Sequence, residues 1–470
     1  REDLIPEEQM VLTVSKTGYA KTQPLSDYTA QRRGGRGKSA TSMKTDDYIQ
    51  HLIVTSNHAT VLCFTNVGKV YRLKVYEVPQ ASRGAKGRPM VNLLPLDANE
   101  TITAILPVID APKKFKDRLV DFQAFVKANA AKLQENEVIN SHFAELEAAL
   151  AELEDGADDL SDALRIQLKQ LGLELSTTDL DDEIIIDFAQ QAEAVRKNFY
   201  VFMATEYGTI KRVELEQFSN VRSNGLRAIE LNGDDTLIGV AITDGEQQIM
   251  LFSNEGKAIR FAETDVRSMG RSAKGVRGMR VTIGAAALLE DAEAEVDSDD
   301  EDSSDSALIS RIVSLVVVPE TGEVLCACAN GYGKRTPVGE FPTKKRGGKG
   351  VIAIKTSERN GELVGAVSID ESKELMLISD GGTMVRTRAS EVATTGRNAQ
   401  GVRLIRLGNE EVLVGVVSVE AVEEEEFIEE VEGEEVIATE ALIDSETLVE
   451  DETIADEPEN ESDLRDSDEE

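Results

Sequence analysis

The sequence predicts an all-β fold in which six similar units of short strands form a propeller-like ring. Three observations predict it. A turn glycine flanked by strand-forming residues recurs six times, a second glycine follows each one at a nearly fixed distance, and the repeat of about 50 residues suits four short strands. The chain contains no tryptophan, which disfavours blades of the WD type.

The first unit opens with a hairpin, since Val11, Leu12 and Val14 precede a turn at 16–18. Strands of β-branched and aromatic residues are expected within one unit at 49–55, 61–65 and 70–73. The predicted turn glycines are Gly18, Gly68, Gly208, Gly256, Gly333 and Gly382. The second glycines lie 19, 19, 17, 19, 17 and 19 residues further on, at Gly37, Gly87, Gly225, Gly275, Gly350 and Gly401.

Two longer intervals between turn glycines indicate insertions of roughly 90 residues in the second repeat and roughly 28 in the fourth. The first insertion, 112–197, should be a helical subdomain with a structural role or a partner surface, because its apolar residues recur at spacings of three and four. Those residues are Leu119, Phe122 and Val126, then Phe143, Leu146, Leu150 and Leu153.

Acidic residues are concentrated outside the repeats. The formal net charge is −37, but residues 421–470 hold 24 acids and one base, 290–305 hold 10 acids and no base, and 113–197 hold 19 acids and 10 bases. The remaining residues carry 40 bases and 35 acids, so a mildly basic ring, 8–420, is expected to bear acidic appendages. The loop at 285–306 and the tail at 421–470 are predicted to be disordered.

The cysteines and histidines form no pattern typical of disulfides or zinc. Cys63, Cys326 and Cys328 are too few for a disulfide framework, and the three histidines accompany no CxxC pair. With no apolar run long enough for a membrane span, a cytoplasmic protein without a metal site is expected. Because the chain begins at Arg1, we expect it to be the C-terminal part of a longer polypeptide.

A basic, glycine-rich segment ends at the second glycine of the first unit. Three guanidiniums and three glycines within seven residues allow the backbone to lie close to another surface while planar cations reach outward, which suits a phosphate backbone. A solvated loop is the other interpretation of such a run taken alone. The segment is Gln31, Arg32, Arg33, Gly34, Gly35, Arg36 and Gly37.

Cations recur near both glycines of the other units. If the units close into a ring, equivalent positions form a belt of positive charge on its rim, and such a belt would bind a bent polyanion through counterion release. The predicted rim residues are Lys21, Lys38, Arg72, Arg83, Lys86, Arg88, Lys211, Arg212, Arg222, Arg227, Arg260, Arg267, Arg271, Lys274, Arg277, Lys334, Arg335, Lys344, Lys345, Arg346, Lys349, Arg386, Arg388, Arg397 and Arg403.

The segment 31–37, preceded by 19–28 and followed by 38–41, resembles the signature box of the C-terminal domain of the bacterial DNA gyrase A protein. The repeats are similar to that domain through about residue 420. The resemblance implies a six-bladed β-pinwheel that wraps duplex DNA around its rim with a fixed hand. It also implies that Gln31 to Gly37 carry the function of the box, and that the other five glycine segments are degenerate copies, with 344–350 the nearest.

The resemblance further implies partners beyond DNA. These are the N-terminal part of the same polypeptide and the gyrase B protein in an A2B2 holoenzyme, an ATP-hydrolysing type II topoisomerase that introduces negative supercoils. The family's catalytic tyrosine lies in an N-terminal region that this chain lacks, so no catalytic residue is expected here. ATP and Mg would act through other domains, and the chain itself should need no cofactor.

Two other functions are compatible with a basic ring. A topoisomerase IV-type C-terminal domain would bind and bend DNA without strong wrapping, although the intact box argues against it. A propeller-like adaptor would bind an acidic protein and would not need the box. The acidic tail would then mimic its ligand. In the gyrase-like case one hypothesis is that the tail competes with DNA for the rim, and the other is that it only keeps the protein soluble.

Overall fold

The ring has six sheets, each of four antiparallel strands, which confirms the predicted six-bladed β-pinwheel. The structure is a computed structural model, and it describes residues 5–25, 38–39, 49–82, 84–108, 115–153, 160–177, 182–282, 310–408 and 410–420. The predicted acidic loop, 285–306, and the predicted tail, 421–470, lie outside the described residues.

The described strands are short, at two to eight residues each. In the first half of the chain they are β1 (Gln9–Ser15), β2 (Tyr19–Pro24), β3 (Lys38–Ser39), β4 (Ile49–Ser56), β5 (Thr60–Thr65), β6 (Lys69–Lys74), β7 (Arg88–Pro89), β8 (Ile102–Val108), β9 (Tyr200–Thr205), β10 (Thr209–Glu214), β11 (Leu226–Arg227) and β12 (Leu237–Thr243). The second half continues with β13 (Gln248–Ser253), β14 (Lys257–Ala262), β15 (Val276–Arg277), β16 (Ile312–Val318), β17 (Glu323–Cys328), β18 (Tyr332–Pro337), β19 (Val351–Ile352), β20 (Leu363–Ile369), β21 (Lys373–Ser379), β22 (Thr383–Arg388), β23 (Val402–Arg403) and β24 (Leu413–Glu420).

Each blade takes its outermost strand from another repeat. From the centre outward, blades 1 to 6 are β4-β1-β2-β7, β8-β5-β6-β11, β12-β9-β10-β15, β16-β13-β14-β19, β20-β17-β18-β23 and β24-β21-β22-β3. The two-residue outer strands of blades 1 to 5 come from the following repeat. The outer strand of blade 6, β3, comes from the first repeat and closes the ring, with Met384 opposite Lys38 and Thr383 opposite Ser39.

The innermost strands surround the centre of the ring. β4, β8, β12, β16, β20 and β24 each contact the corresponding strands of both neighbouring blades, and β24 contacts β4. The next strand outward is buried along nearly its whole length; in β13, for example, all residues from Ile249 to Ser253 are buried. Because neighbouring blades cover both faces of this strand, its sequence is a continuous apolar run rather than an alternating one.

Two sequence expectations about the repeat are corrected. The strands predicted at 49–55, 61–65 and 70–73 do not belong to one sheet, because β4 pairs with β1 whereas β5 and β6 start the next blade. The turn glycine of the fifth unit is Gly331, with φ of 78°, and Gly333 lies inside β18. With Gly331 as the turn, the second glycine of that unit also follows after 19 residues.

The described part of the chain between β8 and β9, within the first predicted insertion, contains five helices. Leu119, Phe122, Phe143, Leu146 and Leu150 are buried in their common core, as their spacing predicts. The subdomain is joined to the ring at the β12–β13 connection, where Arg196 pairs with Glu246 at 2.6 Å. No helix among the described residues has the length and apolar character needed to cross a membrane. The helices are α1 (Phe115–Ala128), α2 (Ala130–Leu133), α3 (Glu137–Glu152), α4 (Asp162–Leu175) and α5 (Glu183–Arg196).

Candidate nucleic-acid interface

Among the described residues, four of the second glycines lie against a backbone carbonyl oxygen where an outer strand joins its blade: Gly87, Gly275, Gly350 and Gly401. At Gly401, φ is +84°, and a Cβ atom would lie 2.5 Å from the carbonyl oxygen of Gly333 in β18. Only glycine adopts this conformation and tolerates this approach at little cost. Gly350 has the same relation to Ala258 of β14, at 2.5 Å. The fixed register of these glycines therefore reflects how one repeat attaches to the previous blade.

Most of the predicted rim cations beside the outer strands are accessible to solvent. Most of them lie in an outer strand or in the loop that precedes it, while Arg72, Arg260 and Arg388 lie in the third strand of their blades. Their charged groups can meet a ligand that approaches the rim from outside. The exposed members are Arg72, Lys86, Arg88, Arg222, Arg227, Arg267, Lys274, Arg277, Lys344, Lys345, Lys349, Arg388 and Arg403, and the half-buried members are Arg260, Arg271, Arg346 and Arg397.

Three of the predicted rim lysines are buried instead. Lys21, Lys211 and Lys334 are at most 1% exposed, and their ammonium groups donate to backbone carbonyl groups. Lys334 donates to Gly396 O at 2.5 Å and to Arg397 O at 2.7 Å. Burial lowers the pKa of each of these lysines to about 8. We therefore remove all three from the proposed contact surface, because their charges face the inside of the loops.

The arginine that follows two of these lysines is also turned inward. Arg335 donates through Nε to Val392 O and through Nη1 to Glu323, both at 2.7 Å. Arg212 lies 3.5 Å from Glu263 and stacks on the ring of Tyr200. Each of these arginines contacts a 3-10 turn of the next repeat and a strand of its own blade. We therefore remove both from the proposed contact surface.

Two further predicted rim arginines have the same character. Arg386 is buried, and it forms an ion pair with Glu374, which is buried as well. Half-buried Arg260 donates to Val338 O at 3.0 Å and to Phe341 O at 3.3 Å. Arg386 therefore leaves the contact surface, and Arg260 keeps only a partial exposure there.

Three exposed cations were not predicted and stand at one equivalent place, five residues after the second glycine. They are Arg280, Lys355 and Arg406. The backbone N–H groups of two of them donate to the basic loop of the following repeat, from Arg280 to Gly348 O at 2.9 Å and from Lys355 to Ala399 O at 3.2 Å. The fixed offset from the glycine was the signal in the sequence that could have identified them.

The basic loops are also linked to one another by side chains. Arg346 donates through Nη1 to Arg277 O at 3.0 Å, and Arg397 donates through Nη1 to Ile352 O at 3.2 Å. Each of these contacts joins the loop of one repeat to the outer strand of the preceding repeat. The loops of the fourth, fifth and sixth repeats therefore form one continuous backbone surface that carries exposed cations.

The predicted box, 31–37, lies outside the described residues, as does Arg83. For Lys38 the backbone alone is described, in β3. This strand follows the box directly and pairs with β22 of blade 6. Since β7, β11, β15, β19 and β23 hold the same place in the other blades, the residue that precedes β3 corresponds to the second glycine of the other repeats.

Exposed guanidinium and ammonium groups along connected loops can neutralise a row of phosphates. Affinity gained in this way comes from counterion release, carries no base sequence information and falls steeply with salt. An arginine also matches phosphate oxygens with two parallel N–H groups, which a lysine cannot do. The arrangement of the rim is thus suited to an extended polyanion rather than to a compact ligand.

Comparison with known proteins identifies similar repeats. The family model described as "DNA gyrase C-terminal domain, beta-propeller" matches residues 9–56, 59–109, 200–244, 247–286, 322–370 and 373–420, which are divided much as the blades are. The DNA gyrase A protein of Pseudomonas aeruginosa is 45% identical over 419 residues, which cover 89% of this chain and 38% of that protein. The chain thus spans less than two fifths of the length of this relative.

Two solved structures are similar in fold. The structure of a DNA gyrase A C-terminal domain superposes with a TM-score of 0.58 at 22% identity, covering 87% of this chain and 99% of the other. The crystal structure of a topoisomerase IV C-terminal domain gives a TM-score of 0.51 at 19% identity, with 89% and 95% covered. At these identities the likeness shows the fold alone.

Proposed function

Because this chain belongs to the family of DNA gyrase C-terminal domains, we propose that it binds duplex DNA and wraps it with a fixed hand around the rim of the ring. The box at 31–37 and the exposed cations of the outer loops are the proposed contacts. Within a longer polypeptide, the wrapped segment would be passed through another by the rest of a type II topoisomerase. Hydrolysis of ATP would then yield negative supercoils.

The observation that carries this proposal is the exchange of outer strands. Every blade receives its outer strand from another repeat, and a glycine-containing basic loop precedes β7, β11, β15, β19 and β23. Equivalent cations therefore recur around the outside instead of gathering in one patch. The strand that follows the box, β3, completes this series at blade 6.

A repeated rim is what wrapping requires energetically. A bend of 40–90° costs about 1–6 kcal/mol, and a turn around a small ring costs more. One basic patch would bind a straight duplex without bending it. Contacts spaced around the ring gain free energy as the duplex follows the rim, so their sum can offset the bending energy.

The remaining parts of the assembly are proposed from the same family membership. The N-terminal part of the same polypeptide and the gyrase B protein would supply cleavage of DNA and hydrolysis of ATP, with Mg as the metal. The chain would then act in the cytoplasm, where the chromosome lies. Its own contribution would be to set the hand of the DNA segment that is presented for passage.

The test is topological and uses the 470-residue chain. Nicked circular DNA is ligated in the presence of increasing protein at low salt, the protein is removed, and the linking number is compared with that of a protein-free control. A shift that grows with protein concentration supports chiral wrapping. The same series at high salt is the control, because release of the DNA should abolish the shift.

Two other outcomes would contradict parts of the proposal. Binding with a steep salt dependence but no linking-number shift would favour a domain that bends DNA without strong wrapping. Absence of duplex binding at low salt would overturn the proposal altogether and favour an adaptor for an acidic protein.

Replacing Arg32, Arg33 and Arg36 by alanine should reduce the linking-number shift more than it reduces the affinity for DNA, because these residues belong to one of six loops.

A further inference from the structure

The three buried lysines occupy one equivalent position in alternate blades. Lys21, Lys211 and Lys334 each stand three residues after the turn glycine, in the second hairpin strand of blades 1, 3 and 5. Blades 2, 4 and 6 hold Tyr71, Ile259 and Val385 at this position. A blade therefore folds without a lysine here, and the buried cation in every second blade needs another explanation.

Each lysine reaches the basic loop that arrives from the next repeat. Lys21 donates to Ser82 O at 3.1 Å and Ala85 O at 3.0 Å, on either side of the loop glycine Gly84. Lys211 donates to Arg271 O at 2.5 Å and to Ala228 O at 2.8 Å. Lys334 donates to Gly396 O and Arg397 O. The basic loops of the second, fourth and sixth repeats are thus each contacted by one buried lysine.

An ammonium is a costly group to bury and a strong donor to carbonyl oxygens. Because it is charged, each of its hydrogen bonds is stronger than one between neutral groups. In blades 1 and 5 both bonds go to the incoming glycine-containing loop, and in blade 3 one bond goes to that loop and the other to Ala228 O of the same repeat. These bonds help to fix the path of the loop, together with side-chain bonds such as that from Thr336 to Thr395 O. The positive charge remains beneath the loop, where it also raises the local potential for an anion outside.

We propose that Lys21, Lys211 and Lys334 are positioning residues for the DNA-binding rim, and that each holds the basic loop of the next repeat in the arrangement that contacts phosphate. Blades 1, 3 and 5 then present preformed contacts. The loops on blades 2 and 4 meet Tyr71 and Ile259 and have no such ammonium at this strand position. This proposal rests on the proposed function, because it assumes that the outer loops contact DNA.

Preformed loops would matter because they reduce the conformational entropy lost on binding. A flexible loop must be ordered at the moment of contact, and that ordering subtracts from the affinity. Held loops at every second blade would fix the path of the duplex. The loops between them, which lack this ammonium, would adjust more readily to local differences in DNA shape.

The test compares one held loop with one loop that lacks the lysine. Lys334→Val places in blade 5 the residue that blade 6 already has, so the blade should still fold. Affinity for a duplex of fixed length is measured against salt for the wild-type chain, Lys334→Val, Arg403→Ala and the double variant. Lys349→Ala, alone and with Lys334→Val, is the matched control, since its loop lies against Ile259 of blade 4.

If Lys334 positions the loop, Lys334→Val should weaken binding about threefold to tenfold and lower the salt slope by about one, the amount expected for one lost phosphate contact. Arg403→Ala should then cost less in the Lys334→Val background than in the wild type, whereas Lys349→Ala should cost the same in both. Unchanged affinity, or additive effects of Lys334→Val and Arg403→Ala, would overturn the proposal.

Amide hydrogen exchange of the free protein separates this proposal from the proposed function. In Lys334→Val, amides at 395–399 should exchange faster, while those at 346–349 should not change. If the wild type binds no duplex, the proposed function is overturned. Independently of that result, unchanged exchange at 395–399 in Lys334→Val would overturn the proposal that Lys334 holds the loop. Lys211→Ile provides a second, independent variant, with amides at 270–274 as the readout.

Discussion

Blades 2 and 5 contain the same strand pattern but use its residues differently. Four residues after the turn glycine stands Arg72 in blade 2 and Arg335 in blade 5. Arg72 is exposed, whereas Arg335 is 7% exposed and joins Val392 O to Glu323. One residue earlier, Tyr71 donates to Glu100 and Lys334 donates to the incoming loop.

The difference arises from the segment that the next repeat contributes. The sixth repeat gives blade 5 its outer strand, and the two glycines of that repeat are 19 residues apart. Between these glycines, Thr394 forms a parallel β-bridge with Arg335. The corresponding segment delivered to blade 2 is two residues shorter. The position of a cation within the repeat therefore does not fix its role; the role depends on what packs over it.

The largest expected effect comes from the glycine at which that segment joins the blade. Gly401→Ala should destabilise the chain by about 3 kcal/mol, because the residue has positive φ and its Cβ would meet the Gly333 carbonyl. Gly225→Ala in blade 2 should cost only about 1–2 kcal/mol, since its Cβ would meet the ring of Tyr71, a side chain that can move. Denaturant unfolding of both variants measures the difference. Equal losses would show that the blade 2 junction is as rigid as that of blade 5.

The next effect concerns the two arginines themselves. Arg335→Ala should lower the free energy of unfolding by about 2–3 kcal/mol, because Glu323 and the Val392 carbonyl lose a charged donor in a nearly buried place. Arg72→Ala should change it by no more than about 0.5 kcal/mol, as is usual for an exposed residue. The same unfolding measurement applies, and a stable Arg335→Ala variant would contradict the structural role assigned here.

The glycine periodicity and the apolar runs were sufficient to predict six units and the ring. They misplaced one turn, because two glycines flank Tyr332 and the sequence does not say which of them has positive φ. The exchange of outer strands was not predicted. A repeat period identifies equivalent residues but gives no information on whether a strand pairs within its own repeat or with a neighbour.

The same limit explains the misassigned cations. Adjacent residues of a strand point to opposite faces, so Lys211 and Arg212 cannot both face outward from one blade. That alternation was a usable signal against assigning both to the rim, but it would have excluded only one of them, whereas the structure buries both. The sequence could not show which carbonyl groups accept hydrogen bonds from Lys211. Ala228 lies 17 residues further along the chain, and Arg271 lies 60 residues further, in the loop of the next repeat.

A smaller effect follows from the pKa of Lys334. Burial lowers that pKa to about 8 from 10.5 in the unfolded chain, so between these values the unfolded state binds more protons and the native state gains stability as pH rises. Relative to Lys334→Val, the wild type should gain about 1–2 kcal/mol in free energy of unfolding between pH 8 and 10.5. Unfolding of both proteins across this range measures the gain.

The control for that experiment lies in the neighbouring groups. Burial raises the pKa values of Cys326 and Cys328 to about 12, so within this range these thiols titrate only in the unfolded chain, and that contribution is common to the wild type and the variant. Carboxylates and guanidiniums ordinarily keep a constant charge across it. If the difference between wild type and variant were flat from pH 8 to 10.5, Lys334 would titrate at its ordinary value and would not be buried as described.

The smallest effect is the one that Arg72 should have on DNA. Its exposed side chain lies on the rim and has no structural role comparable to that of Arg335, so Arg72→Ala should lower the salt slope of duplex binding by about one and leave unfolding unchanged. Lys127→Ala, an exposed lysine on α1 of the helical subdomain, is the control and should alter neither quantity. Arg335→Ala should lower the free energy of unfolding, whereas Arg72→Ala should not. Comparing the two variants therefore separates the loss of a direct DNA contact from a loss of stability. An unchanged slope in Arg72→Ala would mean that the duplex does not pass over blade 2, and the path around the rim would then be limited to the other blades.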